Sequence, residues 1–129
     1  MTAVGEVLAE RHHIGAEDGL AVGERWLTDV MGRSVAVFRL QAGWVAYENV
    51  CPHSGGPVCE GQVRPAIRGV VDVGGRLTDE TIDEDAPRLS CPWHGWDFDL
   101  ATGVAIGDPM RRLRAFEVTI DNGEVYVQL

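Results

Sequence analysis

Short apolar runs rich in valine alternate with polar positions along most of the chain, and turn-forming residues interrupt them at short intervals. That spacing predicts strands rather than helices. Arg33 to Phe38, with Val35 and Val37 alternating, reads as a strand, and Trp44 to Asn49 as its partner across the tight turn Gln41-Ala42-Gly43. This hairpin delivers the chain to Cys51. Phe116 to Ile120 and Val125 to Leu129 form a closing hairpin around Asp121-Asn122-Gly123, residues suited to the positive backbone angles of such turns. Arg25 to Val30 is a weaker strand, joined to the first hairpin by Met31-Gly32. Residues 1 to 10 either form a short helix with Val4, Val7 and Leu8 on one face or fray. Between Gly61 and Ser90, Val70-Val71-Asp72-Val73 and Arg76-Leu77-Thr78 flank Gly74-Gly75 as a small hairpin. The fold class expected is all-β, built from antiparallel sheets.

Composition narrows this picture. A chain of 129 residues fits one domain, 1–129, and its 45% hydrophobic and 24% charged residues are those of an ordinary globular protein. Eleven basic residues, all arginine, stand against 20 acidic ones, and the net charge of -9 argues against nucleic acid and against anionic membranes as partners. Six of the acidic residues (Asp72, Asp79, Glu80, Asp83, Glu84 and Asp85) fall between 72 and 85 with only Arg76 to offset them, as expected of a solvated hairpin kept soluble by charge. No run approaches the roughly 18 apolar residues of a membrane span, and the amino terminus lacks a basic leader with an apolar core. A cytoplasmic location is expected.

The three cysteines are an odd number without an export signal, so metal ligation is a better reading than a disulfide framework. Two segments hold the chemistry: Cys51-Pro52-His53-Ser54-Gly55-Gly56-Pro57 and Cys91-Pro92-Trp93-His94-Gly95-Trp96. Each offers one thiolate and one imidazole in a loop stiffened by Pro and opened by Gly. Two Cys and two His could hold a tetrahedral zinc, but zinc knuckles pair C-x-x-C or H-x-x-x-H. A C-x-H loop facing a C-x-x-H loop is instead what a two-iron cluster with divided ligation needs.

CPHSGGP followed by CPWHGWDFDLATG resembles the two cluster-binding loops of Rieske-type ferredoxins and of the Rieske domains of ring-hydroxylating oxygenases. The resemblance runs from about Leu20 to Leu129. It implies one 2Fe-2S cluster of the Rieske type, with Cys51 and Cys91 on one iron and His53 and His94 on the other. It further implies a cluster-binding subdomain over about 49–109 that contains an inserted acidic hairpin at about 64–89, and a third loop at Gly107-Asp108-Pro109 covering the cluster. The function implied is one-electron carriage from a reductase to a terminal oxygenase or related oxidoreductase, by a protein monomeric when free. The alternative is a small electron-transfer subunit fixed permanently in a larger complex. No catalytic site is expected: an oxygenase also needs a mononuclear iron on two His and a carboxylate, and only the adjacent His12 and His13, which on a strand would point to opposite faces, are left over.

Two ferric ions, two sulfides and two thiolates make an oxidised site of zero net charge, so reduction is easier than in an all-thiolate cluster. The high-potential members of the family have an extra Cys in each loop, joined as a disulfide, and a Ser after the second His-Gly. Here Gly56, Trp93 and Trp96 stand at those three positions, which places the expected potential low, about -150 mV, at the bottom of the Rieske span. Other residues take plainer roles. Cys59 is expected to be a small buried hydrophobe, and His12 and His13 surface residues. Trp93 and Trp96 are expected to shield the cluster and pack the loops. Arg111, Arg112 and Arg114 form a solvated basic face.

Overall fold

The computed structural model describes residues 11–93 and 95–129, with the backbone only at 67–69 and 80–85. The expected amino-terminal helix over 1–10 and the expected ligand His94 fall outside the described residues. Among the described residues, eleven strands make two antiparallel sheets. The first contains β1 (Arg11–Ala16), β2 (Arg25–Val30), β3 (Arg33–Leu40), β4 (Gly43–Glu48), β10 (Ala115–Asp121) and β11 (Glu124–Gln128), in the order β1-β11-β10-β4-β3-β2. The second contains β5 (Val63–Val71), β6 (Leu77–Ser90), β7 (Asp97–Asp99), β8 (Val104–Ala105) and β9 (Asp108–Arg112), neighbours in chain order. The all-β expectation holds, and no helix among the described residues is long and apolar enough to cross a membrane.

β3 explains why the two sheets form one body. Side chains alternate across a strand with a period of two. Val35 and Val37 face a core shared with Val30, Ala46, Phe116, Val125 and Val127. Ala36 and Phe38, on the other face, enter a second core with Tyr47, Leu89, Phe98, Leu100 and Leu113. The sequence pattern showed the first face; the second is also buried, because the cluster-side sheet lies against it. The six-stranded sheet curls until its edges meet: the Trp26 ring on β2 lies so near Gly15 on β1 that a Cβ there would stand 3.0 Å from it.

The turns follow backbone chemistry. Asp121 pairs with Glu124 across Asn122 (φ 52°) and Gly123 (φ 77°), and Val30 pairs with Arg33 across Met31 (φ 53°) and Gly32 (φ 81°). Two consecutive positive φ values mark the hairpin turn whose twist matches the strands it joins.

The hairpin between Gly61 and Ser90 extends well beyond the strand pattern at 70–78. Val63 pairs with Leu89 at its base and Val71 with Leu77 at its end. Asp72 and Val73 lie in the turn rather than in a strand, because the Asp72 carboxylate accepts from the backbone N–H of Gly74 (2.8 Å) and of Arg76 (3.0 Å). An Asp side chain that mimics a backbone turn in this way stops the strand before it. Four elements carried no sequence signal: β1, β7, β8 and β9 are short or polar.

Candidate metal centre

The two Cys-Pro loops have the same backbone design. The Cys51 N–H donates to the Gly56 carbonyl at 2.8 Å, and the Gly55 N–H returns to the Cys51 carbonyl at 2.8 Å. In the second loop the Cys91 N–H donates to the Trp96 carbonyl at 2.8 Å and the Gly95 N–H to the Cys91 carbonyl at 2.9 Å. Both closures need a left-handed residue four places after the cysteine, and glycine supplies it: φ is 76° at Gly55 and 69° at Gly95. Equal loops present their sulfurs to the same space.

Those sulfurs meet. Cys51 and Cys91 are 2% and 1% exposed, and all three cysteines are free thiols. The Ser54 Oγ lies 3.8 Å from the Cys91 Sγ. Burial alone pushes the Cys51 thiol up. Hydrogen bonds from the Ser54 hydroxyl, from the backbone N–H groups of His53 and Ser54 and from Cys91 outweigh it, and hold Cys51 below its ordinary range. A buried sulfur surrounded by donors is a place made for a thiolate, so the residues present fit an iron-sulfur cluster held through sulfur on the inner side. Phe98, Leu100 and Leu113 keep this side dry.

His53 is exposed, and its ring stacks on Trp96 with centroids 3.9 Å apart and planes 22° from parallel. Trp93 is 59% exposed. Its indole covers Gly56 so closely that a Cβ at residue 56 would lie 2.6 Å from it. The two tryptophans therefore divide the work expected of them: Trp96 packs a ligand candidate, and Trp93 bridges the two loops. The turn at Ile106-Gly107 and Asp108 flank Gly95 and Trp96, so the third loop borders the second. Pro109 itself is the second residue of strand β9.

Cys59 lies apart from this function. It is fully buried, its Sγ 3.7 Å from the Glu48 carbonyl and 3.9 Å from that of Tyr47, and burial pushes its thiol up to about 12. His12 and His13 occupy β1, at one end of the strand order of the six-stranded sheet. His13 faces Glu124, with Nε2 and Oε1 2.6 Å apart.

Two contributions had escaped the sequence. Ser54 lies inside the Cys-x-His loop, where a hydroxyl next to a ligand could have been noticed. Arg111 donates from Nη1 to the Pro52 carbonyl at 3.3 Å across 59 residues of sequence, a contact that no local pattern announces.

Two buried thiols from twin loops, with an imidazole at the rim, define an iron-sulfur electron-transfer domain. A family model for the Rieske [2Fe-2S] domain matches residues 10–117, and the chain belongs to that family. Its cofactor is accordingly one Rieske-type 2Fe-2S cluster. A Rieske domain-containing protein of Homo sapiens is 30% identical over 131 aligned residues, covering 90% of this chain and 73% of the relative. Ferredoxin CarAc of Metapseudomonas resinovorans is 31% identical over 94, covering 72% of this chain and 68% of its own length. Among solved structures, one from the complex of reduced oxygenase and oxidized ferredoxin in carbazole 1,9a-dioxygenase superposes with a TM-score of 0.65 at 27% identity, covering 92% of each chain.

Proposed function

We propose that this chain is a one-electron carrier that accepts electrons from a reductase and passes them to a terminal oxygenase or a related oxidoreductase. In this reading it works in the cytoplasm and is monomeric when free. Cys51 and Cys91 hold one iron and His53 and His94 the other, within a cluster-binding subdomain spanning about 49–109. The cluster, when bound, takes up and releases a single electron. The observation that carries the reading is the asymmetry of the loops: the Cys51 and Cys91 sulfurs are buried in a core with Phe98 and Leu100, whereas His53 is exposed and stacks on Trp96. Such an end brings the rim of the site within reach of a partner protein. The family relationship and the ferredoxin named among the relatives support a partner of the oxygenase type.

Among the described residues the donors to the Cys51 sulfur are Ser54, the His53 and Ser54 amides and Cys91, and Trp96 provides no hydroxyl where the high-potential members have one. A potential near -150 mV, at the low end for Rieske centres, is the expected result of protein-film voltammetry at neutral pH. A clearly positive potential would contradict this.

A second reading, a subunit fixed in a larger complex, is favoured by the hairpin at 64–89. It projects as a two-stranded ribbon carrying exposed Val70, Val71, Val73 and Leu77 near its tip, and isolated ribbons are marginal in water. Deleting residues 70–86 tests it. For a mobile carrier, electron transfer to the native acceptor and elution as a monomer stay unchanged. For a fixed subunit, stoichiometric co-purification is lost.

A further inference from the structure

Arg111, on β9, lies where all three loops meet. Its Nη1 donates to the Pro52 carbonyl in the first loop at 3.3 Å, and its guanidinium carbon stands 5.9 Å from the centre of the Trp96 ring in the second. Its Nε donates to the Asp108 carboxylate in the third at 3.2 Å. Trp96 in turn stacks on His53. The chain as a whole carries a net charge of -9, and Asp108 is the carboxylate that faces this cation.

We propose that Arg111 is a positioning residue for the cluster site, and that its fixed positive charge, tempered by Asp108, sets how readily the site accepts an electron. The proposal rests on the reading that the twin loops hold the cluster. A site that is neutral when oxidised and carries one negative charge when reduced responds to nearby fixed charge mainly in its reduced form. A cation held by three loops therefore favours reduction, and the carboxylate beside it opposes reduction. The planar guanidinium makes two directed bonds in different directions, which a lysine ammonium cannot reproduce with the same geometry. Side-chain exposure of 46% for Arg111 and 36% for Asp108 keeps the effect moderate through screening.

The test is spectroelectrochemical titration of the holoprotein carrying Arg111→Gln, Arg111→Lys or Asp108→Asn, at low and high salt. Arg111→Gln is expected to lower the equilibrium constant for reduction about threefold, which is about 30 mV given that a tenfold change is about 59 mV for one electron. Asp108→Asn is expected to raise it by a similar factor. Arg111→Lys should fall between wild type and Arg111→Gln, and added salt should shrink every shift. An Arg111→Gln protein at the wild-type potential, or shifts of the same sign for Arg111→Gln and Asp108→Asn, would overturn the proposal. If Arg111→Gln does not retain its cluster, the Asp108→Asn result decides: an upward shift supports the proposal and any other outcome refutes it. A wild-type protein without a Rieske-type paramagnetic signal would refute the underlying assignment instead.

Discussion

Replacing Cys91 with alanine is expected to remove the cluster, whereas replacing Cys59 with alanine is expected to leave it in place. Both thiols are buried in the same apolar core and have the same free chemical form, so burial does not tell them apart. Their surroundings do. Cys91 starts a loop whose hydrogen bonds match those of the Cys51 loop, and its sulfur shares Ser54 with that loop. Cys59 points at two backbone carbonyls, which accept from a thiol and repel a thiolate. Loss of one of four ligands is expected to reduce iron in the purified Cys91→Ala protein to roughly a tenth of the wild-type content or less. Cys59→Ala costs stability through a small cavity, on the order of 1 kcal/mol, and keeps the visible spectrum. Iron analysis and absorbance of the two proteins settle the matter. A colourless Cys59→Ala beside a coloured Cys91→Ala would reverse the assignment.

Gly61→Ala is expected to be nearly as damaging, although residue 61 touches no metal. A Cβ at Gly61 would stand 1.6 Å from the Ser90 carbonyl oxygen and 2.8 Å from its carbon. Both are backbone atoms, so no side chain can turn aside. The φ of -77° is open to any residue, and the cost is purely steric. Ser90 is held on every side: its N–H donates to the Gln62 carbonyl at 3.0 Å, its hydroxyl donates to Asp97, and Arg64 donates to that hydroxyl at 2.9 Å. Arg25 clamps the Gly61 carbonyl at 2.7 Å from the other side. The methyl group must therefore push apart the end of β6 and the start of the second loop, displacing Cys91. A destabilisation of about 3 kcal/mol or more is expected, the upper range for overpacking, together with loss of bound iron. Urea unfolding of the holoprotein measures it. A Gly61→Ala protein with the wild-type midpoint and full iron content would show that the two segments can separate freely.

Much of this was legible in the sequence where local chemistry decides. Asn122-Gly123 fixed its turn because both residues tolerate positive φ, and the register of β10 and β11 followed from it. Met31-Gly32 makes the same turn with a less suitable first residue, since the strands on either side, Leu27 against Ala36 and Thr28 against Val35, hold it in place. The two Cys-Pro loops were readable because ligand type and spacing are strict. Less legible was whatever depends on contacts across the fold. Ala36 and Phe38 turned out to be buried because a second sheet packs on them. β7, β8 and β9 are recognisable only as neighbours of β6. The hairpin strands outside 70–78 lack an apolar stripe and gave no pattern of their own, and the contact of Arg111 was hidden because its partner Pro52 lies in a distant loop.

The central claim is that sulfur and nitrogen from the twin loops close around two bridged irons. Iron, zinc and acid-labile sulfide measured on the anaerobically reconstituted protein, with electron paramagnetic resonance after dithionite reduction, test it most directly. The account predicts about two irons and two sulfides per chain and a signal with average g below 2. Stoichiometric zinc without sulfide, and no such signal, would contradict it.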